Sequence, residues 1–296
     1  MIGPGQPGSG RPSALPSAVL AEIEEHLGVS VKAVHRVSGG SISESARLES
    51  DAGPLFVKYH RHPPRTPAGV GFFEAEADGL NRLSPFVPCP RVLAVLHEAL
   101  VLSYHAPVER TRRSEAEAGE LLARLHRVKG EAYGLDAENF MGGIAQDNRG
   151  PEQGTSFAAW FYERRLLPLA EALPPKARRA FDALPLDELL PDPAAPTLVH
   201  GDLWAGNLLH TATGAMFVDP AAAFSDPLQD LAMTRLFGGF SDAFYAAYRA
   251  VTGLQMDREL DQRLEVLNLY PLLVHLHLFG ASYLAQVESL LARYTR

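Results

Sequence analysis

The sequence predicts an α+β fold of two lobes, an N-terminal antiparallel sheet lobe with one main helix and a larger, mostly helical C-terminal lobe. Three observations carry that expectation. Alternating segments and hairpin signals crowd the first third of the chain, helix-period segments fill the rest, and the change falls near residue 105 with no βαβ or other internal repeat on either side. With 296 residues, 46% of them hydrophobic, the chain can bury one large core or two modest ones.

The Gly/Pro/Ser-rich start, residues 1–14, reads as a disordered tail. Leu20, Ile23 and Leu27, separated by glutamates and followed by Gly28, predict a short amphipathic helix. Val34 and Val37 lead to a turn at Gly39-Gly40, and the alternating segment 45–49 follows. Asp51-Ala52-Gly53 signals a hairpin into the strand Leu55-Phe56-Val57-Lys58-Tyr59. Phe73, Ala77, Leu80 and Leu83 make one stripe of a helix over 72–83, and strands are expected over 91–95 and 99–104. The N-terminal lobe is therefore assigned to 15–105 and the C-terminal lobe to 106–296. In the second lobe, helices are expected over 114–127, 155–172, 175–184, 229–237, 242–251, 257–270 and 272–293. A strand at Thr197-Leu198-Val199, a loop into a strand over 202–210, a turn at 211–214 and a returning strand to Val218 interrupt them.

Composition excludes several classes. A net charge of −8 argues against nucleic acid as the main partner, because phosphate backbones call for clustered cations. The absence of an apolar run of 18 residues or of a signal-like start argues against a membrane span or secretion. One cysteine, Cys89, makes no internal disulfide, and the cytoplasm is the natural compartment. Lysine occurs only at Lys32, Lys58, Lys129 and Lys176, so each can be weighed singly.

Phosphoryl transfer from ATP needs a phosphate cradle, a cation on the phosphates, metal ligands and a carboxylate aimed at the acceptor hydroxyl. Asp202 and Asn207 have the Asp-x-x-x-x-Asn spacing of the protein-kinase catalytic loop, with His-Gly-Asp in place of His-Arg-Asp. Asp202 can take or orient a hydroxyl proton, while the Asn207 side-chain oxygen and Asp219, across the hairpin, are hard ligands for Mg²⁺. Taken singly, Asp202 could equally cap a turn and Asp219-Pro220 end a strand. A lysine inside the apolar strand, Lys58, calls for a charged partner unless it lies at a sheet edge. Phosphates and a glutamate of the next helix would serve, Glu76 in preference to Glu74. The turn at Gly39, Gly40, Ser41 and Ser43 can offer N–H and hydroxyl groups to phosphate, and Ser103 and His105, where the lobes join, backbone groups to an adenine edge. His275 and His277, two apart on a helix, point to different faces and read as core or capping histidines. His60-Arg61-His62 reads as a solvated turn, and Asp136 and Glu138 as loop residues.

The chain resembles the fructosamine kinase family, within the protein-kinase-like group that also holds aminoglycoside and choline kinases. Leu198 to Asp202 with Asn207 and Asp219 carry the wider likeness. The narrower one rests on Leu203-Trp204 before Gly206, on Val218-Asp219-Pro220-Ala221, on Asp230 to Thr234 running into Leu236-Phe237-Gly238-Gly239-Phe240, on 269–280, and on the segments 143–148 and 160–166. The resemblance implies a bilobal kinase fold with ATP between the lobes. It also implies transfer of the γ-phosphate to a ketoamine sugar hydroxyl, typically the 3′-hydroxyl of fructosamine or ribulosamine, after which the sugar eliminates and frees the amine. On that likeness Asp202 is the base or orienter, Asn207 and Asp219 hold Mg²⁺, Lys58 reaches the α/β-phosphates, Glu76 positions it, and Trp204 walls the acceptor site. The stretch Phe224 to Gln229 looks more like the aminoglycoside or choline kinase version, which keeps an amino-alcohol acceptor open as the alternative. A non-catalytic pseudokinase is the reading of another class, set against the presence of the lysine, the loop Asp and the metal Asp together.

Overall fold

A computed structural model describes residues 15–37, 42–150 and 154–295. By their contacts the residues form two compact units, one running up to His62 and taking in Val92–Tyr104, the other made of Pro63–Arg91 and the chain from His105 onward. The strand-rich first third and the helical remainder expected from the sequence are both present.

The first unit holds helix α1 (Ser17–Leu27) and one antiparallel sheet of β1 (Val31–Val37), β2 (Glu44–Ser50), β3 (Gly53–Tyr59), β4 (Val92–Val95) and β5 (Ala99–Ser103) in the order β1-β2-β3-β5-β4. Strand alternation divides its residues between two faces. Ala46, Leu48, Leu55, Val57, Tyr59, Ala99 and Val101 join Val19 and Ile23 of α1 in one buried cluster. Phe56 and Lys58 therefore belong to the other face. Lys58 stands in register between Ser45 of β2 and Leu100 of β5, in the middle of the sheet, and is 7% exposed. The sheet-edge explanation for this lysine is thereby excluded.

Helix α2 (Phe72–Leu83) spans the residues expected, and with the rest of 63–91 it groups with the second unit. Its N-terminus is closed by Glu74, whose carboxylate accepts from the Gly71 N–H at 3.0 Å. The second unit continues with α3 (Arg112–Leu125), the hairpin β6 (Asn139–Met141) and β7 (Ile144–Gln146), α4 (Phe157–Phe161), α5 (Leu167–Ala170), α6 (Pro175–Asp182) and α7 (Leu186–Leu189). Then come β8 (Thr197–Val199), the hairpin β9 (Leu208–Thr211) and β10 (Gly214–Phe217), and β11 (Ala223–Ser225), which pairs back onto β8. Five helices close the chain: α8 (Leu228–Leu236), α9 (Asp242–Thr252), α10 (Arg258–Leu267), α11 (Leu269–Phe279) and α12 (Leu284–Tyr294).

Two expected helices are divided within their length, and the boundary expected between 270 and 272 falls at Asn268, between α10 and α11. The one over 155–172 contains a π turn at Tyr162–Leu166 between α4 and α5. Pro168 has no N–H to give the Arg164 carbonyl, and the Arg165 guanidinium donates to that carbonyl instead, at 3.2 Å. The one over 272–293 breaks at Gly280 into α11 and α12 through a 3₁₀ turn. The helical stretch Arg258–Tyr294 is long and apolar enough by length and composition to cross a membrane. It is more than half buried within the protein, however, and α11 supplies Leu269, Tyr270, Leu272, Leu273 and Val274 to the main hydrophobic cluster, so it is a core element.

Candidate active site

The sequence between β8 and β11 folds into two short loops stitched side by side. His200 Nε2 donates to the Val218 carbonyl at 2.9 Å, the Ala221 N–H donates to the His200 carbonyl at 2.9 Å, and the Val218 N–H donates to the Asn207 carbonyl at 3.1 Å. These bonds pin the chain on both sides of Asp219 to the loop that carries Asp202 and Asn207. Asn207, buried at the end of a 3₁₀ turn, donates its Nδ2 hydrogens to the Asp202 backbone carbonyl at 2.8 Å and to the Asp202 carboxylate at 3.1 Å. That leaves the amide oxygen as its hard donor. Asp202 and Asp219 are half-buried, and Trp204 is 39% exposed.

Backbone geometry marks the same place. Asp219 is the one non-glycine residue with a positive φ among the described residues, at 56°. Such a conformation costs about 1–3 kcal/mol and persists only where its surroundings over-determine it. Gly201 has φ +83°, and a Cβ there would overlap the Ala221 carbonyl oxygen. This close approach explains why the loop reads His-Gly-Asp: any larger residue would push the two loops apart. Gly79 of α2 plays a matching part, since a Cβ there would sit 3.0 Å from the ring of Pro220, which follows Asp219. Glu76, half-buried, lies one turn before Gly79 on the same helix.

Beneath the loop lies a carboxylate whose role the sequence did not reveal. Asp230 of α8 is fully buried, and its oxygens accept from the backbone N–H of His200 at 2.7 Å and of Gly201 at 2.8 Å. His126 Nε2 reaches it at 3.1 Å, and Nδ1 of the same ring meets the Tyr248 hydroxyl at 2.8 Å. Burial opposes charge on Asp230, but the hydrogen bonds from His126 and His200 outweigh it and hold the carboxyl below its usual range. Burial pushes the His200 imidazole down as well, and its bonds fix the neutral tautomer, with Nδ1 accepting from the Asp202 N–H at 3.3 Å.

The His200 shift has a measurable consequence. Its folded pKa lies below the ordinary 6.5, so between the two values the unfolded chain binds more protons than the native one. Its contribution to stability is complete above about pH 6.5 and is lost as pH falls toward the folded value. His105, His210 and His275 shift in the same direction, burial being the main cause in each. The urea unfolding midpoint is expected to drop between about pH 7.5 and about pH 5.5. A His200→Gln protein should be less stable throughout and show a shallower drop, and an unchanged slope would contradict the assignment.

The other predicted residues fall in several places. Gly39, Gly40 and Ser41 lie outside the described residues, and Ser43 is half-buried just before β2. Ser103 closes β5 opposite Leu55, and His105 follows two residues on, its imidazole held low by burial and by Arg91. His275 is half-buried in an aromatic group with Phe237 at 4.7 Å and its Nδ1 donates to the Pro271 carbonyl at 2.7 Å, while His277 is exposed. Among the described residues no group of three or more His, Cys, Asp or Glu could hold a metal ion. A cation held by one carboxylate, one amide oxygen and substrate phosphates needs no such cage, and Mg²⁺ is held in that manner. The Phe224–Gln229 stretch is structural: the Asp226 carboxylate accepts from the Leu228 N–H at 2.9 Å and from Arg263 at 2.8 Å, and the Ser225 hydroxyl donates to Gln229 at 2.6 Å. Burial pushes the Cys89 thiol up to about 12, which disfavours the thiolate.

An antiparallel sheet followed by this stitched pair of loops on a helical base defines the protein-kinase-like phosphotransferase class. Structures of aminoglycoside phosphotransferases share the fold at low identity. One, named as a ternary complex with AMP-PNP and hygromycin B, is 16% identical with a TM-score of 0.61 over 94% of this chain and 98% of its own. A crystal structure named "putative fructosamine-3-kinase" from Thermobifida fusca is 31% identical, with a TM-score of 0.81 over 94% of this chain and 99% of its own. A "probable ketoamine kinase" of Enterococcus faecium is 34% identical over 87% of this chain and 94% of its own length, and one of Thermus thermophilus is 36% identical over 83% and 88%. The sequence profile of the fructosamine kinase family matches residues 16–296. The chain belongs to the fructosamine kinase family.

Proposed function

We propose that the protein transfers the γ-phosphoryl group of ATP to a sugar hydroxyl, the 3′-hydroxyl, of a fructosamine or ribulosamine ketoamine. The phosphorylated sugar then eliminates and the amine is released, so that glycated amines or proteins are repaired. The observation that carries this reading is the stitching of the Asp202–Asn207 loop to the strained Asp219 in a chain of this family. Asp202 accepts or orients the proton of the attacking hydroxyl, a role its half-buried carboxylate suits. Asn207 and Asp219 would hold Mg²⁺, which supplies neutralisation of phosphate charge. Lys58 takes the α/β-phosphates, Glu76 orients it, and the use of Glu74 in capping α2 supports the choice of Glu76. Gly39, Gly40, Ser41 and Ser43 are assigned to the phosphates, Ser103 and His105 to the adenine, and exposed Trp204 to the acceptor. We place the enzyme in the cytoplasm.

The alternative acceptors, aminoglycosides and choline, drew their support from the Phe224–Gln229 stretch, and its side chains are spent on capping α8 and pairing Arg263. Formation of ADP with N-fructosyl-lysine and N-ribulosyl-lysine, compared with kanamycin and choline, tests the proposal. Turnover is expected with the ketoamines; turnover of kanamycin or choline alone would replace the acceptor assignment.

A further inference from the structure

Two of the segments that mark the family, 143–148 and 160–166, have no part in the chemistry assigned above, yet they meet in one buried polar chain. The Arg165 guanidinium, 2% exposed in the π turn, donates to Oδ1 of Asn148. Asn148 Nδ2 donates to Oδ1 of Asn139 at 2.8 Å, and Asn139 Nδ2 donates to the Ala222 carbonyl at 2.8 Å. Asn148 is fully buried and Asn139 is 6% exposed.

The direction of this chain is not open to choice. A guanidinium can only donate and a backbone carbonyl can only accept, so both amides between them must point the same way. The acceptors of Arg165 are neutral, namely the carbonyls of Asp147 and Arg164 and the Asn148 amide, with the Trp160 ring 4.7 Å from its guanidinium carbon. Its charge therefore polarises the amides in sequence and strengthens the last bond, the one to Ala222. That residue lies three past Asp219. Val218 and Ala221 are held by His200 and Asn207 of the loop, and Ala222 is held by Asn139 of β6.

We propose that Arg165, Asn148 and Asn139 form a relay of positioning residues that fixes the backbone after Asp219 and so keeps the Asp219 carboxylate set for the metal–nucleotide complex. The proposal rests on the reading of Asp219 as a metal ligand. Residues that orient a metal ligand from behind typically change metal affinity by roughly 10- to 100-fold when lost. Asn148→Asp still accepts from Arg165, now as an ion pair, but has no N–H for Asn139. Asn139→Asp still accepts from Asn148 but repels the Ala222 carbonyl. Asn148→Asp also loses the bond that Asn148 Nδ2 gives the Ala137 carbonyl at 3.0 Å, so Asn139→Asp, which breaks the link to Ala222 alone, is the cleaner variant; each leaves a side chain of the same size.

The test is titration of Mn²⁺ into the full-length protein saturated with ADP, read by the electron paramagnetic resonance of free Mn²⁺. Both variants should weaken Mn²⁺ by about 10-fold or more while ADP affinity without metal and acceptor KM stay within about twofold. If Asn148→Asp does not fold, Asn139→Asp carries the test alone. Mn²⁺ affinity as in wild type would overturn the relay, as would losses of Mn²⁺, ADP and acceptor binding in parallel, the signature of a general structural defect. Asp219→Asn separates the two readings. If it weakens Mn²⁺ and the relay variants do not, only the relay fails; if it binds Mn²⁺ like wild type, the metal reading falls and the relay with it.

Discussion

An Asp202→Asn enzyme is expected to turn over about 10²- to 10⁴-fold more slowly than wild type, with little change in nucleotide or acceptor KM. The substitution removes the proton acceptor and its negative charge while keeping the side chain's size. Asparagine has the same shape, its side-chain oxygen can still accept from Asn207 Nδ2, and the backbone bonds of the loop are untouched. A group that takes or orients the hydroxyl proton only as the transition state forms should show its loss in kcat and not in binding. Unfolding midpoints should match, so the slow rate could not be laid to instability. Turnover within about tenfold of wild type would mean that the working carboxylate is elsewhere.

Asp230→Ala is expected to produce the largest loss of stability of any single substitution near the site. The native carboxylate satisfies the backbone N–H groups of His200 and Gly201 and the ring of His126, all in a region closed to water. Alanine would leave those three donors unpaired, at about 1–3 kcal/mol each. The total, roughly 3–9 kcal/mol, is comparable with the whole stability of an ordinary domain. The protein should be largely unfolded or lose its urea transition at 25 °C, and Asp230→Asn, which keeps one acceptor, should recover part of it. A loss below about 1 kcal/mol in Asp230→Ala would show that the catalytic loop is not held from beneath in this way.

What could be read in the sequence and what could not follows chain distance. Asp202, Asn207 and Asp219 lie within one loop–hairpin–loop, so their spacing alone carried their relation. Lys58 stood out because an apolar strand surrounds it, and the sheet register places it in the interior. Helix 72–83 was marked by its stripe of Phe73, Ala77, Leu80 and Leu83, whereas its closure by Glu74 on the Gly71 N–H was not read. Asp230 sat in plain view in a family motif, but its partners His200 and His126 are 30 and 104 residues away, and no local pattern predicts such pairs. Asn139 and Ala222 are 83 apart for the same reason. The π turn had a visible signal in Pro168, whose missing N–H was overridden by the apolar periodicity around it. Strands β6, β7 and β11 are three residues each, too short for alternation to register.

The central claim is that the loops around Asp202 and Asp219 pass a phosphoryl group to a ketoamine. It is tested most directly by following labelled γ-phosphate from ATP in the presence of Mg²⁺ and N-ribulosyl-lysine. The expected result is a labelled ketoamine phosphate that then releases free lysine, at a rate cut by about 10²-fold or more in Asp202→Asn. Label that stays on ATP with the ketoamine, yet moves to kanamycin or choline under the same conditions, would contradict it.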